Sequence, residues 1–215
     1  MTFSEFKNLI PRIENIELPG KRSHVQMAPI KKIVELAEEE INKRKPRSAG
    51  VMVLFYPNQN GEAMLVLILR KVYEGVHSGQ ISLPGGGKEK IDTSLQETAL
   101  RETHEEIGVA PEEIKILKKL TKLYVSPSNF RVYPFLGVVD HTPTFIPQES
   151  EVESILEISV KDFLNDKFMA QKTISISYSD KITVPAFLFD EYIVWGATGM
   201  ILNEVKAMIR SLEGK

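Results

Sequence analysis

The chain contains no cysteine. That absence excludes a disulfide framework, a thiolate zinc site and a cysteine nucleophile. Any bound metal then has to be held by carboxylates, histidines or backbone carbonyls, which makes hard cations such as magnesium the default candidates. A basic surplus is missing too: 27 Lys and Arg stand against 29 Asp and Glu, a formal charge of −2. Nucleic-acid binders usually carry a positive excess, so no nucleic-acid partner is expected. Long apolar runs are also lacking. Val51 to Tyr56 and Met64 to Leu69 span six residues each, against the roughly 20 that cross a bilayer. The first twenty residues carry Glu5, Glu14 and Glu17 and no apolar stretch, unlike a secretory signal. A cytoplasmic location without membrane contact is the expectation.

What is present suits one sizeable domain. Of the 215 residues, 42% are apolar and 26% charged, an ordinary balance for a packed core. Ser4 to Ile10 reads as a short helix limited by Pro11. A longer helix is expected from Pro29 to Lys43, with Ile30, Ile33, Val34, Ala37 and Ile41 forming one stripe. Ala49 to Tyr56 and Glu62 to Arg70 read as strands of a hairpin turned by Pro57-Asn58-Gln59-Asn60-Gly61. A loop from Lys71 to Gly87 leads to a helix over Ser94 to Ile107, stopped by Gly108. Strands are expected between Ile114 and Leu123, and over Arg131 to Val139, Val152 to Ile158, Thr173 to Tyr178 and Ile182 to Phe189. Ser179-Asp180 supplies a turn between the last two. Trp195 to Leu212 closes the chain as an amphipathic helix. This is an α/β pattern, a mixed sheet with flanking helices, preceded by a helical extension over 1–45 and a main domain over 46–215.

The chemistry concentrates in Arg101-Glu102-Thr103-His104-Glu105-Glu106-Ile107-Gly108-Val109. Glu102, Glu105 and Glu106 stand at i, i+3 and i+4, so a helix places all three on one face. Like charges at that spacing repel by a few tenths of a kcal/mol. A divalent cation would turn that repulsion into binding, since such ions take several oxygen ligands. Arg101 lies four residues from both Glu97 and Glu105 and can fix a carboxylate rotamer. An acidic cluster alone reads more readily as a solvated helix face. The run Leu83-Pro84-Gly85-Gly86-Gly87 just upstream changes the weighing, because glycines let a ligand approach the main chain closely. His104 points away from the three glutamates. Trp195 reads as core, Tyr124 and Tyr133 as strand packing, and Ser126 to Phe130 as either a turn or a substrate contact.

These residues resemble the signature of the Nudix hydrolases. Arg101, Glu102, Glu105, Glu106, Gly108 and Val109 match its second half, while Thr103 takes an aliphatic position. Counted from Gly87, Thr93 stands where the first glutamate belongs. Counted from Gly86, the box has one extra residue and Asp92 as the acidic substitute, a pattern similar to the coenzyme A pyrophosphatase branch. The upstream stretch resembles that branch as well: Leu67-Ile68-Leu69-Arg70, then Gly79-Gln80-Ile81-Ser82-Leu83-Pro84-Gly85-Gly86. Leu83 replaces a phenylalanine there, and Gly75 stands where a second arginine is usual.

The resemblance implies a Nudix-type α/β/α sandwich that hydrolyses a nucleoside diphosphate derivative. It further implies magnesium or manganese held by Glu102, Glu105, Glu106 and the Gly86 carbonyl, with Arg101 orienting a glutamate. Arg70 would clamp a phosphate, with Gly79, Gln80, Gly85 and His77 as further substrate contacts. Glu151 is the first candidate for general base, and Glu102 the competing one. The expected substrate is coenzyme A or a thioester of it. ADP-ribose, or a non-catalytic nucleotide-binding module, is the alternative, and a homodimer is left open.

Overall fold

The computed structural model describes residues 1–28, 38–72, 79–176 and 179–214. Helix α1 (Phe3–Asn15) starts at a capping box, in which Thr2 and Glu5 satisfy each other's backbone N–H groups. It does not stop at Pro11 as expected but runs through it. A proline inside a helix costs about 3 kcal/mol. Phe6, Ile10 and Ile13, buried on one face of α1, each return about 1.5–3 kcal/mol on leaving water, which outweighs the break. The short α2 (Lys21–Gln26) was not expected. Of the helix expected over Pro29 to Lys43, residues 29–37 lie outside the described residues, and the remainder forms α3 (Glu38–Lys43).

The hairpin is present as β1 (Arg47–Pro57) and β2 (Ala63–Arg70), with Pro57 opposite Ala63. Asn58 closes its turn by accepting from the N–H groups of Asn60 and Glu62 at 2.9 Å each. The chain continues through β3 (Ile81–Ser82), β4 (Gly85–Gly87), α4 (Leu95–Ile107), β5 (Lys115–Lys119) and β6 (Leu123–Val125). It then forms β7 (Phe130–Val138), β8 (Val152–Ser159), α5 (Val160–Leu164), β9 (Met169–Ile176), β10 (Ser179–Phe189), β11 (Tyr192–Val194) and α6 (Gly196–Glu213). The turn expected at Ser179-Asp180 is instead the start of β10, with Ser179 opposite Ile176.

Strand β1 organises the main sheet. It runs parallel to β7 on one side. On the other it pairs antiparallel with β2 near Phe55 and with β4 near Gly50. Strand β8 covers the far side of β2, and β5 and β6 extend β7. This is the mixed sheet expected, because the β1–β7 crossover carries α4 over one face. Side chains alternate along each strand, so the two faces bury separate cores. Met52, Leu54, Tyr56, Val66 and Ile68 meet Ala99 and Ile107 of α4. Val53, Phe55, Leu65 and Leu67 meet Phe6 of α1 and Leu202, Val205 and Met208 of α6. Strands β9 to β11 form a separate antiparallel sheet. Among the described residues no helix is long and apolar enough to cross a membrane.

Candidate active site

Helix α4 has well-defined ends. Ser94 accepts from the Glu97 N–H at 3.1 Å, and Gly108 adopts a left-handed φ of 78° as its cap. Its approach to the sheet depends on Gly50, where any Cβ would overlap the Leu95 carbonyl. A glycine inside an apolar strand, as Gly50 is in β1, is the sequence signal of such a close approach. Thr103 is fully buried and donates its hydroxyl to the Ala99 carbonyl at 2.6 Å. A threonine thereby fills the aliphatic position without an unpaired polar atom.

The glutamates occupy three different environments. Glu106 is only 2% exposed; one oxygen accepts from Arg70 Nη1 at 3.0 Å and the other from the Gly85 N–H at 2.7 Å. Burial pushes its carboxyl up to about 7, opposed by the Gly85 N–H and Arg70 and assisted by Glu102 and Glu151. Glu102 is partly buried beside Gly86, where a Cβ would collide with its carboxylate. Burial also holds its carboxyl above the usual range, against the pull of Arg101. Glu105 is about half exposed and accepts from Arg101 Nη1 at 2.7 Å. His104 is exposed, in keeping with a residue outside the cluster.

Arg101 ties these parts together. Its Nε and Nη2 grip Asp92 at 2.9 and 3.1 Å, Nη2 lies 2.9 Å from Glu102, and the same nitrogen donates to the Gly87 carbonyl at 3.2 Å. Asp92 also accepts from the Thr98 hydroxyl at 2.9 Å and the Glu89 N–H at 2.8 Å. Chiefly through Arg101, its carboxyl is held well below the usual range. Thr93, by contrast, is exposed and contributes its N–H to Glu97. Of the two registers, the structure selects the longer one, with Asp92 as the acidic partner.

The remaining residues surround this cluster. Arg70 also approaches Glu151 at 4.0 Å, and Glu151 is half exposed at the start of β8. The Gln80 carbonyl accepts from the Arg70 N–H at 3.1 Å, and Gly79 takes a left-handed φ of 64°. His77 lies outside the described residues. Gly85 to Gly87, Arg70 and Gln80 line one side of a cleft of about 650 Å³. Its other walls come from α2, α3, the β6–β7 turn and the start of α6. Trp195, Tyr124 and Ser126 to Ser128 line this cleft, and Trp195 is half-buried there rather than a core residue.

The donor set is all oxygen, which suits a hard divalent cation. Glu102, Glu106 and Glu151 repel one another closely enough to raise the first two, and a cation would relieve that repulsion. Among the described residues no three acidic or histidine side chains already converge as an ion cage. Arg70 and Arg101 instead hold the carboxylates. Loading an ion would require Glu106 and Glu102 to exchange arginine contacts for ion contacts.

The NUDIX domain family model matches residues 45–176. Two plant proteins of Arabidopsis thaliana are similar. Nudix hydrolase 15, mitochondrial, is 32% identical over 168 residues, covering 74% of this chain and 57% of the relative. Nudix hydrolase 22, chloroplastic, is 30% identical over 175 residues, covering 77% of this chain and 56% of the relative. The chain thus spans little more than half the length of these relatives. The peroxisomal coenzyme A diphosphatase ndx-8 of Caenorhabditis elegans is 26% identical over 174 residues, covering 80% of this chain and 73% of that protein.

Proposed function

The chain belongs to the NUDIX family, and from that premise we propose that it hydrolyses the diphosphate bond of coenzyme A or its thioesters. Water would add across the anhydride, giving 4′-phosphopantetheine, or its acylated form, and adenosine 3′,5′-bisphosphate. The observation that carries this reading is the Arg70–Glu106 contact at 3.0 Å. Through Arg70 it joins the coenzyme A-like stretch, which runs from Leu67 to Gly86, to the glutamate helix, at the edge of a cleft of about 650 Å³. That volume lies within the range of small-molecule sites. The likeness to the nematode coenzyme A diphosphatase supports the same substrate.

Magnesium or manganese, held by Glu102, Glu106, Glu105 and the Gly86 carbonyl, would neutralise the phosphate charge and acidify a water. Arg101 fixes the rotamer of Glu102, and Asp92 fixes Arg101. Arg70, which lines the cleft beside Glu106, would clamp a substrate phosphate. Glu151 is open to solvent and close to this group, a suitable place for the base that takes the proton of the attacking water. Glu102, with its raised pKa, is the competing base. A cytoplasmic location belongs to the same proposal, as does the division into an N-terminal extension over 1–45 and a hydrolase domain over 46–215.

ADP-ribose is the second reading, because it presents the same diphosphate to the same glutamates. Mass spectrometry of the products from coenzyme A and from ADP-ribose, each with magnesium, separates the two. Faster release of adenosine 3′,5′-bisphosphate from coenzyme A is expected. Equal or faster cleavage of ADP-ribose would overturn the substrate assignment.

A further inference from the structure

The cleft has a second charged region, away from the glutamate helix. Glu38, at the start of α3, is the only carboxylate among the described residues that line it. Lys122 Nζ and Arg131 Nη2 both lie 3.0 Å from the same oxygen, Glu38 Oε1. Arg131 is fixed from behind by donating to Asn42 Oδ1 at 2.9 Å. Lys21 on α2 adds a third cation to the field at Glu38. Lys122 and Arg131 against one carboxylate leave a local surplus of about one charge. Glu38 itself demonstrates that the cluster accepts an oxyanion. Lys122 is about half exposed, so a ligand can reach it.

Sheet register places this cluster relative to the glycine edge. Gly87 pairs with Ala49, Ala49 with Val132, and Val132 with Leu123. Two interstrand spacings put Val132, next to Arg131, about 10 Å from Gly87, and a third puts Leu123, next to Lys122, about 14 Å away. Arg131 and Lys122 line the same cleft as Gly85 to Gly87. A substrate whose diphosphate rests on the glycine edge would therefore bring any second phosphate of its nucleoside toward these cations.

We propose that Lys122 and Arg131 form a subsite for a phosphomonoester on the nucleoside half of the substrate, which displaces the Glu38 carboxylate when it binds. This rests on the diphosphate reading above and deepens it, because it separates coenzyme A, which has a 3′-phosphate, from substrates that lack one. Arginine and lysine supply charge-assisted hydrogen bonds that suit a dianion better than a single carboxylate.

Calorimetric titration with adenosine 3′,5′-bisphosphate and with 5′-AMP tests the subsite without any turnover. Wild-type protein is expected to bind the bisphosphate about tenfold more tightly, the worth of one hydrogen bond to a charged group. Lys122→Ala is expected to lose that preference while keeping its affinity for 5′-AMP. Glu38→Gln, which removes the competing carboxylate, is expected to bind the bisphosphate more tightly than wild type. Circular dichroism checks that both variants fold. Equal affinity of wild type for the two nucleotides, or a preference that persists in Lys122→Ala, would overturn the subsite. Failure to cleave coenzyme A together with a retained bisphosphate preference would overturn the substrate reading and support the subsite.

Discussion

Arg101 and Asp92 form a two-point ion pair, Nε to Oδ1 at 2.9 Å and Nη2 to Oδ2 at 3.1 Å. The pair connects the loop before the glutamate helix to the helix itself. Asp92 is almost fully buried, and Arg101 passes its hold on to Glu102 and Glu105. Asp92 therefore positions Arg101, and through it Glu102 and Glu105.

Asp92→Asn keeps the shape of the side chain and removes its charge. Partners of this kind around a metal ligand commonly contribute 10- to 100-fold in metal affinity or activity. The expected result is an apparent magnesium affinity weaker by about that factor, with kcat largely recovered at high magnesium. A loss of kcat that excess magnesium does not restore would remove Asp92 from the positioning role.

Two glycines test packing against function. Gly86→Ala puts a Cβ against the Glu102 carboxylate, while Gly50→Ala puts one against the Leu95 carbonyl and the Ala99 N–H. A carboxylate can swing away, whereas a helix backbone has to shift as a body. Gly50→Ala should cost on the order of 1–3 kcal/mol of stability, the usual penalty of overpacking. Gly86→Ala should lose most activity at little cost in stability. Thermal melts beside turnover assays check both, and equal destabilisation of the two variants would contradict the distinction.

Glu106 gives the stability a defined pH dependence. Its carboxyl is raised by burial from 4.5 to about 7, so between those values the folded state binds more protons than the unfolded state. Stability is therefore highest below about pH 4.5 for this group, falls as pH rises through 7 and is flat above. The shift corresponds to about 3 kcal/mol. Magnesium favours the ionised form, so its stabilising effect should grow over the same range. Melting curves of wild type and Glu106→Gln between pH 5 and 8 should diverge, with the variant losing less. Parallel curves would show that Glu106 is not the group responsible.

The glutamate helix was legible because its signals are local. Ser94 caps its start, Gly108 its end, and the intervals between Glu102, Glu105 and Glu106 follow from helical geometry alone. The hairpin was legible for the same reason, through Asn58 and Gly61 between two continuous apolar runs. Pro11 does not end α1, because tertiary burial of Phe6, Ile10 and Ile13 prevails over the local breaking tendency of proline. The Arg70–Glu106 contact joins residues 36 apart in sequence, and no local pattern encodes such a pairing. Asp92 and Thr93 were both candidates, and only the position of the Arg101 side chain separates them. Trp195 carried the sequence signature of a core residue, and its place in the cleft depends on how α6 meets the β6–β7 turn.

The central claim is that Glu106 and Glu102 capture a divalent ion on one side of α4. Electron paramagnetic resonance of Mn²⁺ titrated with protein reads this directly, because the free ion's signal disappears on binding. Wild-type protein should remove the signal as it is added, and folded Glu106→Gln should leave most of it in solution. Equal removal of Mn²⁺ by the two proteins would place the ion elsewhere and contradict the account.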